Sequence, residues 1–369
     1  GGIDMEKYPI LEKRLKNGIT EYIYPVEGLE NDNFLALTVK VGSAAEKEYN
    51  AGIAHFVEHV QMSFFDEEEK DYLCSAYTDF YSTTFYFDTK SRGIGKIINL
   101  MQKIIAGKFL IDFDIEKIRK EVLEEYENAI CKRFQADFYF LLENTEYASH
   151  YSIGSRQCIH YFSKNDIWKF YETYYLLGNM SIIWIGPAED IMGVGTKWIE
   201  NLSGIPGKTE LRVLNYPFSM RKIENQKQKE KGRTTYYFFR KRGQETDTLD
   251  EALLFTLEEI LNQYVGKIQV EKLYLSYRQE FLRIISMEGK TWKEMYEVIK
   301  KISLIEWASK YKLFLKKELI GYNCNSLREQ LVNSFIFNVR VTEKKADIKK
   351  EVATLLNVLK TGPVAISKG

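Results

Sequence analysis

Residues 39–60 read VKVGSAAEKEYNAGIAHFVEHV, and the fold turns on how that stretch is parsed. Its opening continues the apolar-polar alternation of FLALTVKVGS, the pattern of a half-buried strand. A helix is expected to begin near Gly52. On a helix at about 100° per residue, His59 lies about 40° round from His55 and one turn along, so both imidazoles face the same way. Glu58, three residues from His55, projects from nearly the same face and can reach a group held between the histidines. The chain has only four histidines, so a pair at this spacing is a concentrated signal.

A divalent zinc ion suits that pair, because imidazole nitrogen is a favoured ligand and two ligands one turn apart converge on one point. The order His-x-x-Glu-His is the inverted form of the His-Glu-x-x-His zinc-protease motif. A catalytic zinc takes three protein ligands and leaves a position to water. Downstream, IRKEVLEEYENAI (118–130) crowds Glu121, Glu124, Glu125 and Glu127 onto one predicted helix. Helical spacing puts Glu121 and Glu125 on one side with Ile118, while Glu124 and Glu127 turn elsewhere. One of these glutamates is expected to close the site.

Working outward, two strands are expected between Gly18 and Ser43, and two more in SAYTDFYSTTFYFDTK (75–90) with a turn around Phe80 to Ser82. Helices are expected over Ile94 to Ile105, from Asp114 as N-cap to about Phe140, over Ser163 to Tyr175, and from Ala188 to about Leu202. The apolar NMSIIWIG (179–186) reads as a strand. Glycine and proline concentrate in SGIPGKTE (203–210), and RKIENQKQKEKGR (221–233) is charged, which sets a boundary. Beyond it come a strand at RTTYYFFRK, a helix at 248–265, strands within 270–287, helices from 292 to about 318 and a last helix near 345–359. The predicted fold class is α+β, with two similar domains, each a mainly antiparallel sheet covered by helices. The division is 5–203, a 204–232 linker, and 233–369.

The bulk composition supports folded domains: 369 residues, 45% hydrophobic and 14% aromatic. Lys plus Arg and Asp plus Glu balance at 52 each, so no global field recruits nucleic acid or an anionic membrane. No run approaches the ~20 apolar residues of a membrane span, and no signal pattern opens the sequence. Gly1 to Asp4 reads as an added remnant before a natural start at Met5. The four cysteines stand far apart with no CxxC pair, arguing against a cysteine-built metal site and for a cytoplasmic location. His150 and His160 lack a partner at ligand spacing and read as packing or surface histidines. The run DEEEKD (66–71) reads as a solvated turn or short helix.

These motifs resemble the inverzincin zinc peptidases of the pitrilysin, insulin-degrading enzyme and mitochondrial processing peptidase family. LKNGITEYIYP (15–25) resembles its opening strand, and residues 39–60 its glycine-serine turn and zinc helix. SAYTDFYSTTFYFD (75–88) is similar to its Asn-Ala-Tyr-Thr strand pair, EKIRKEVLEEYENA (116–129) to the helix bearing the third ligand, and residues 162–186 to the segment ending its first domain. The likeness covers most of residues 11–190 and is faint beyond about 230.

The resemblance implies that His55 and His59 are zinc ligands, Glu58 the general base, and Glu125, two places after Leu123, the third ligand, with Glu124 as the fallback. The gap from His59 to Glu125 is 66 residues, shorter than usual in the family, and the shortening falls in SFFDEEEKDYLC (63–74). Ile118 stands where the family has an outer glutamate, a role Glu121 could take from the same face. Ser75 replaces the Asn of the strand motif beside Tyr77. The family's second-domain arginine, followed seven residues on by tyrosine, has its best match at Arg278, with Ile285 in the tyrosine's place. The resemblance therefore implies one half of a clamshell peptidase, with one Zn2+ per chain and a peptide substrate. Its partner would be a sister subunit in a heterodimer, supplying the arginine-tyrosine pair, with a homodimer as runner-up. Short unfolded peptides, including leader segments of ribosomally made precursors, are the expected substrates of a zinc endopeptidase of this format. The rival reading is a noncatalytic peptide-binding or scaffold subunit. A metal sensor is a third, which no nucleic-acid or signalling feature supports.

Overall fold

The computed structural model describes residues 10–64, 70–133, 139–216, 223–225, 232–241, 251–276, 279–317, 322–338 and 347–368. Arg278 and most of the acidic run at 66–71 lie outside the described residues. The chain divides into two compact units, the first drawn from 1–130, 146–215 and 320–338, the second from 131–145, 216–319 and 339–369.

The first unit is built on a six-stranded sheet of β1 (Leu11–Arg14), β2 (Thr20–Val26), β3 (Asp32–Val39), β4 (Tyr72–Thr78), β5 (Thr83–Lys90) and β6 (Met180–Pro187). Their order is β1-β2-β6-β3-β5-β4, parallel only between β2 and β6. β6 is buried along its whole length, as its uninterrupted apolar run requires. β4 closes one edge and alternates: Tyr72 and Thr78 are buried, while Leu73, Ser75 and Tyr77 are exposed.

One core joins this sheet to α1 (Ile53–Met62), α2 (Ile94–Ile105) and α3 (Ile115–Arg133). Phe56, Val57 and Val60 from α1, Ile97, Met101 and Ile104 from α2, and Val122 from α3 bury against Leu35, Leu37, Phe85, Phe87 and Trp184. Each fully buried side chain of this size contributes about 1.5–3 kcal/mol. The helix Tyr322–Phe337 packs on β3 and β6. Its Arg328 donates to Leu35 O at 3.0 Å, Phe87 O at 3.3 Å and Asp88 Oδ1 at 2.6 Å.

The second unit has a five-stranded sheet ordered β7 (Ile223–Asn225), β11 (Ala365–Lys368), β8 (Thr234–Lys241), β10 (Gln279–Ser286), β9 (Ile268–Ser276), parallel only between β7 and β11. Helices Glu251–Tyr264, Trp292–Ile299, Leu304–Lys317 and Ile348–Lys360 cover it through Leu257, Leu261, Met295, Trp307 and Leu355, packed on Phe238, Leu282 and Ile284. Both units are therefore mainly antiparallel sheets clad in helices, the α+β class expected from sequence.

Several details differ from the sequence reading. The expected helix from Ala188 to Leu202 is two short ones, Ala188–Val194 and Lys197–Glu200, parted at Gly195 with φ 73°. The helices expected from 292 to about 318 are two, Trp292–Ile299 and Leu304–Lys317. Residues 204–215, assigned to a linker, lie on the first unit: Leu177 N donates to Ile205 O and Gly178 N to Gly207 O, both at 2.8 Å, and Leu214 is buried. Glycine and proline mark irregular backbone, but a strap whose amides are satisfied by neighbours has the same composition as a free linker. Among the described residues no helix is long and apolar enough to cross a membrane.

Candidate metal centre and base

α1 is fixed at its start by two devices. Gly52 caps it at φ 99°, and a Cβ there would stand 3.0 Å from Gly154 Cα, so glycine is demanded by both torsion and space. Glu46 supplies the missing cap acceptors, its two carboxylate oxygens each taking one amide at 2.9 Å, from Gly52 and Ala54. Burial pushes the Glu46 carboxyl up to about 8, against the pull of those two amides.

From that start, His55 and His59 project together, their rings 4.7 Å apart and edge-on. Glu125 reaches them from α3: its Oε2 lies 3.2 Å from His55 Nε2 and 3.0 Å from His59 Nε2. Ligands on a tetrahedral zinc with bonds of ~2.0–2.2 Å sit about 3.3 Å apart, close to these separations. Two imidazole nitrogens and one carboxylate oxygen are also the donor set a catalytic zinc takes, so the residues fit the ion. Glu121 Oε2 stands 3.9 Å from His59 Nδ1, on the outer side of the same imidazole. Ile118 is buried in the core, and His55 Nδ1, also buried, has no hydrogen-bond partner among the described residues. Glu124 faces Lys120 at 3.9 Å and Glu127 faces Arg156 at 3.2 Å, both turned away as helical spacing predicts.

Electrostatics follow the geometry. Burial opposes charge on His59, but its hydrogen bond to Glu125 and the charges of Glu58, Glu125 and Glu121 together raise its pKa above that of an ordinary histidine. Hydrogen bonds from His55 and His59 hold the Glu125 carboxyl far below the usual carboxylate range.

Glu58 belongs to the same cluster: one ligand atom from each of His55, Glu58 and His59 lies within 4.8 Å of the others. Geometry thus offers two carboxylates beside the histidines, and their surroundings separate them. Glu58 is 7% exposed and its Oε2 accepts a 2.5 Å hydrogen bond from Thr78 Oγ1, whereas Glu125 Oε2 is shared between the two imidazoles.

α1 packs against β4, so the cluster adjoins the sheet edge. Ser75 and Tyr77 lie on the exposed face of that strand, and Arg278 is not among the described residues. His150 is buried, its Nδ1 2.9 Å from Ser43 O, a packing role as expected. Glu46 and Thr78 were not singled out by sequence reasoning, because their roles come from contacts made only on folding.

The family profile Peptidase_M16, described as Insulinase (Peptidase family M16), matches residues 31–151. The chain is 26% identical over 198 residues to the chloroplastic stromal processing peptidase of Oryza sativa subsp. japonica, covering 49% of this chain and 16% of that protein. It is 27% identical over 209 residues to the zinc protease PQQL-like of Arabidopsis thaliana, covering 51% of this chain and 22% of that protein. This chain therefore spans less than a quarter of either relative's length. In fold it is similar to the crystal structure of the first half of the periplasmic protease PqqL from Escherichia coli, with TM-score 0.74, 15% identity, and coverage of 100% of this chain and 92% of that one. The family resemblance carried by the motif residues is borne out.

Proposed function

We propose that this chain, similar to the insulinase (M16) peptidase family over residues 31–151, is the zinc-binding half of an endopeptidase acting on short unfolded peptides. In this reading His55, His59 and Glu125 hold the ion and Glu58 is the general base. The observation that carries it is the convergence of both histidine Nε2 atoms on Glu125 Oε2, at 3.2 and 3.0 Å, with Glu58 in the same cluster. A bound zinc would polarise the scissile carbonyl and acidify the attacking water. Glu58 accepts the water's proton and passes it to the leaving amine. Glu121, beside His59 Nδ1, orients that imidazole.

Among the described residues β4 is the outermost strand of its sheet, which supports peptide docking as an added strand, hydrogen-bonded along the backbone, with the Ser75 and Tyr77 side alternating against the substrate. Ile285 stands where the family has the tyrosine of its arginine-tyrosine pair. A second, related half would supply that pair, as a sister subunit in a heterodimer or, as runner-up, a second copy of this chain. Leader segments of peptide precursors are one substrate class that such a site admits. A noncatalytic scaffold has no use for a buried carboxylate poised beside the histidines, which favours the enzyme. The test is peptide cleavage by the chain alone and mixed with its candidate second half, beside zinc content. A Glu58→Gln protein should keep the metal and lose cleavage; cleavage at the normal rate would sink the mechanism.

A further inference from the structure

We propose that Thr78 is a positioning residue for the base: its hydroxyl pins Oε2 of Glu58 and so leaves Oε1 as the oxygen that carries the proton. The inference rests on the peptidase reading above.

The two side chains meet in the interior, Glu58 at 7% exposure and Thr78 at 3%. Thr78 Oγ1 donates to Glu58 Oε2 at 2.5 Å, and Oε1 makes no hydrogen bond among the described residues. The direction of that bond follows from the role of the base: a carboxylate ready to accept has no proton to give, so Thr78, whose hydroxyl owns one, is the donor. Thr83 Oγ1 spends its own proton on Val41 O at 3.0 Å, and its 3.3 Å contact with Thr78 Oγ1 is longer than the 2.5 Å bond to Glu58, so the carboxylate is the better acceptor for the Thr78 proton. An oxygen that must accept is poorly placed to hold a proton, so the proton from the attacking water goes to Oε1, and the same proton leaves Oε1 for the amine. Oε2 accepts from Thr78 throughout, as carboxylate oxygen and then as acid carbonyl, and the bond need not break during turnover.

The hydroxyl is itself held rigidly. Thr78 ends β4 and pairs with Thr83 across the turn. Asp79 Oδ1 takes the amides of Tyr81 and Ser82, each at 2.7 Å, while Asp79 O takes Ser43 N at 3.0 Å. The hairpin is thereby tied to the loop that leads into α1. One residue thus links the strand proposed to receive the peptide with the group proposed to activate water, and keeps the two in register.

Two variants and two readouts test this on the full chain. In whichever assembly cleaves peptide, Thr78→Val should lower kcat at least tenfold with KM and zinc content unchanged, and Thr78→Ser should restore most of it. In denaturant unfolding of the zinc-free chain, Thr78→Val should lower the midpoint when Glu58 is present and leave it unchanged in a Glu58→Ala background. Wild-type kcat in Thr78→Val, no rescue by serine, or equal midpoint shifts in both backgrounds would overturn the proposal. If even the wild type cleaves nothing, the peptidase reading fails, while the unfolding pair still decides whether Thr78 holds Glu58.

Discussion

α1 and α3 contribute to the same cluster but are built differently. α1 is ten residues long with seven of them buried, Glu58 included, and its first turn is clamped by Glu46 and by the close approach of Gly154 to Gly52. α3 runs for nineteen residues and keeps Ile118 and Val122 in the core, while the Glu125 side chain is 52% exposed. The histidines and Glu58 thus take their positions from the core, whereas Glu125 reaches the two imidazoles from a half-exposed position with no core packing of its own side chain. A site assembled this way has one stiff wall and one adjustable wall, and substitutions on the two should differ in kind.

The largest effect is expected on the stiff wall. His55→Ala or His59→Ala should abolish both zinc retention and cleavage, read by metal analysis and peptide assay together. Glu58→Gln should cut kcat by about 10²–10⁴-fold through loss of proton transfer, with zinc retained. On the adjustable wall, Glu121→Gln should lower zinc affinity by roughly 10-fold in a metal-competition titration, the low end for an orienting partner, because 3.9 Å to His59 Nδ1 is a loose contact. Glu124→Gln should change neither affinity nor rate; an effect comparable to that of Glu125 would put the wrong face of α3 in the site.

The clamp on α1 has its own signature. Because burial raises Glu46 to about 8, the folded chain holds its proton more tightly than the unfolded one. That stabilisation is complete below the ordinary carboxyl value and is lost as pH rises through about 8. The unfolding midpoint should therefore fall between roughly pH 5 and 8, and Glu46→Gln should flatten that fall. A wild-type midpoint flat over this range would mean the paired amides keep Glu46 ionised.

The contrast between the helices also explains what was legible in the sequence. His55, Glu58 and His59 share one short helix, so local spacing alone brings them together. Glu125 was one of four glutamates in a charged stretch, and spacing narrowed the choice only to a face; the resemblance chose among them. Thr78 and Glu46 act through contacts set by sheet pairing and turn packing, which no local pattern encodes. The helix Tyr322–Phe337 escaped for a related reason: Arg328 and Ser334 are buried beside Leu331 and Phe335, so its inward face carries no clean apolar stripe. β1 is four exposed residues, Leu11–Arg14, and offers no alternation to read. The long apolar or alternating strands β2, β3, β5 and β6 were plain because burial and periodicity coincide there.

The proposed mechanism stands or falls on Glu125 as the third ligand and Glu58 as the base. Metal content by mass spectrometry of wild type, Glu125→Gln and Glu58→Gln, each purified and then incubated with zinc salt and desalted, tests it most directly. About one zinc per chain is expected in the wild type and in Glu58→Gln, with a sharp loss in Glu125→Gln. Zinc retained by Glu125→Gln and lost from Glu58→Gln would make Glu58 the ligand and overturn both assignments.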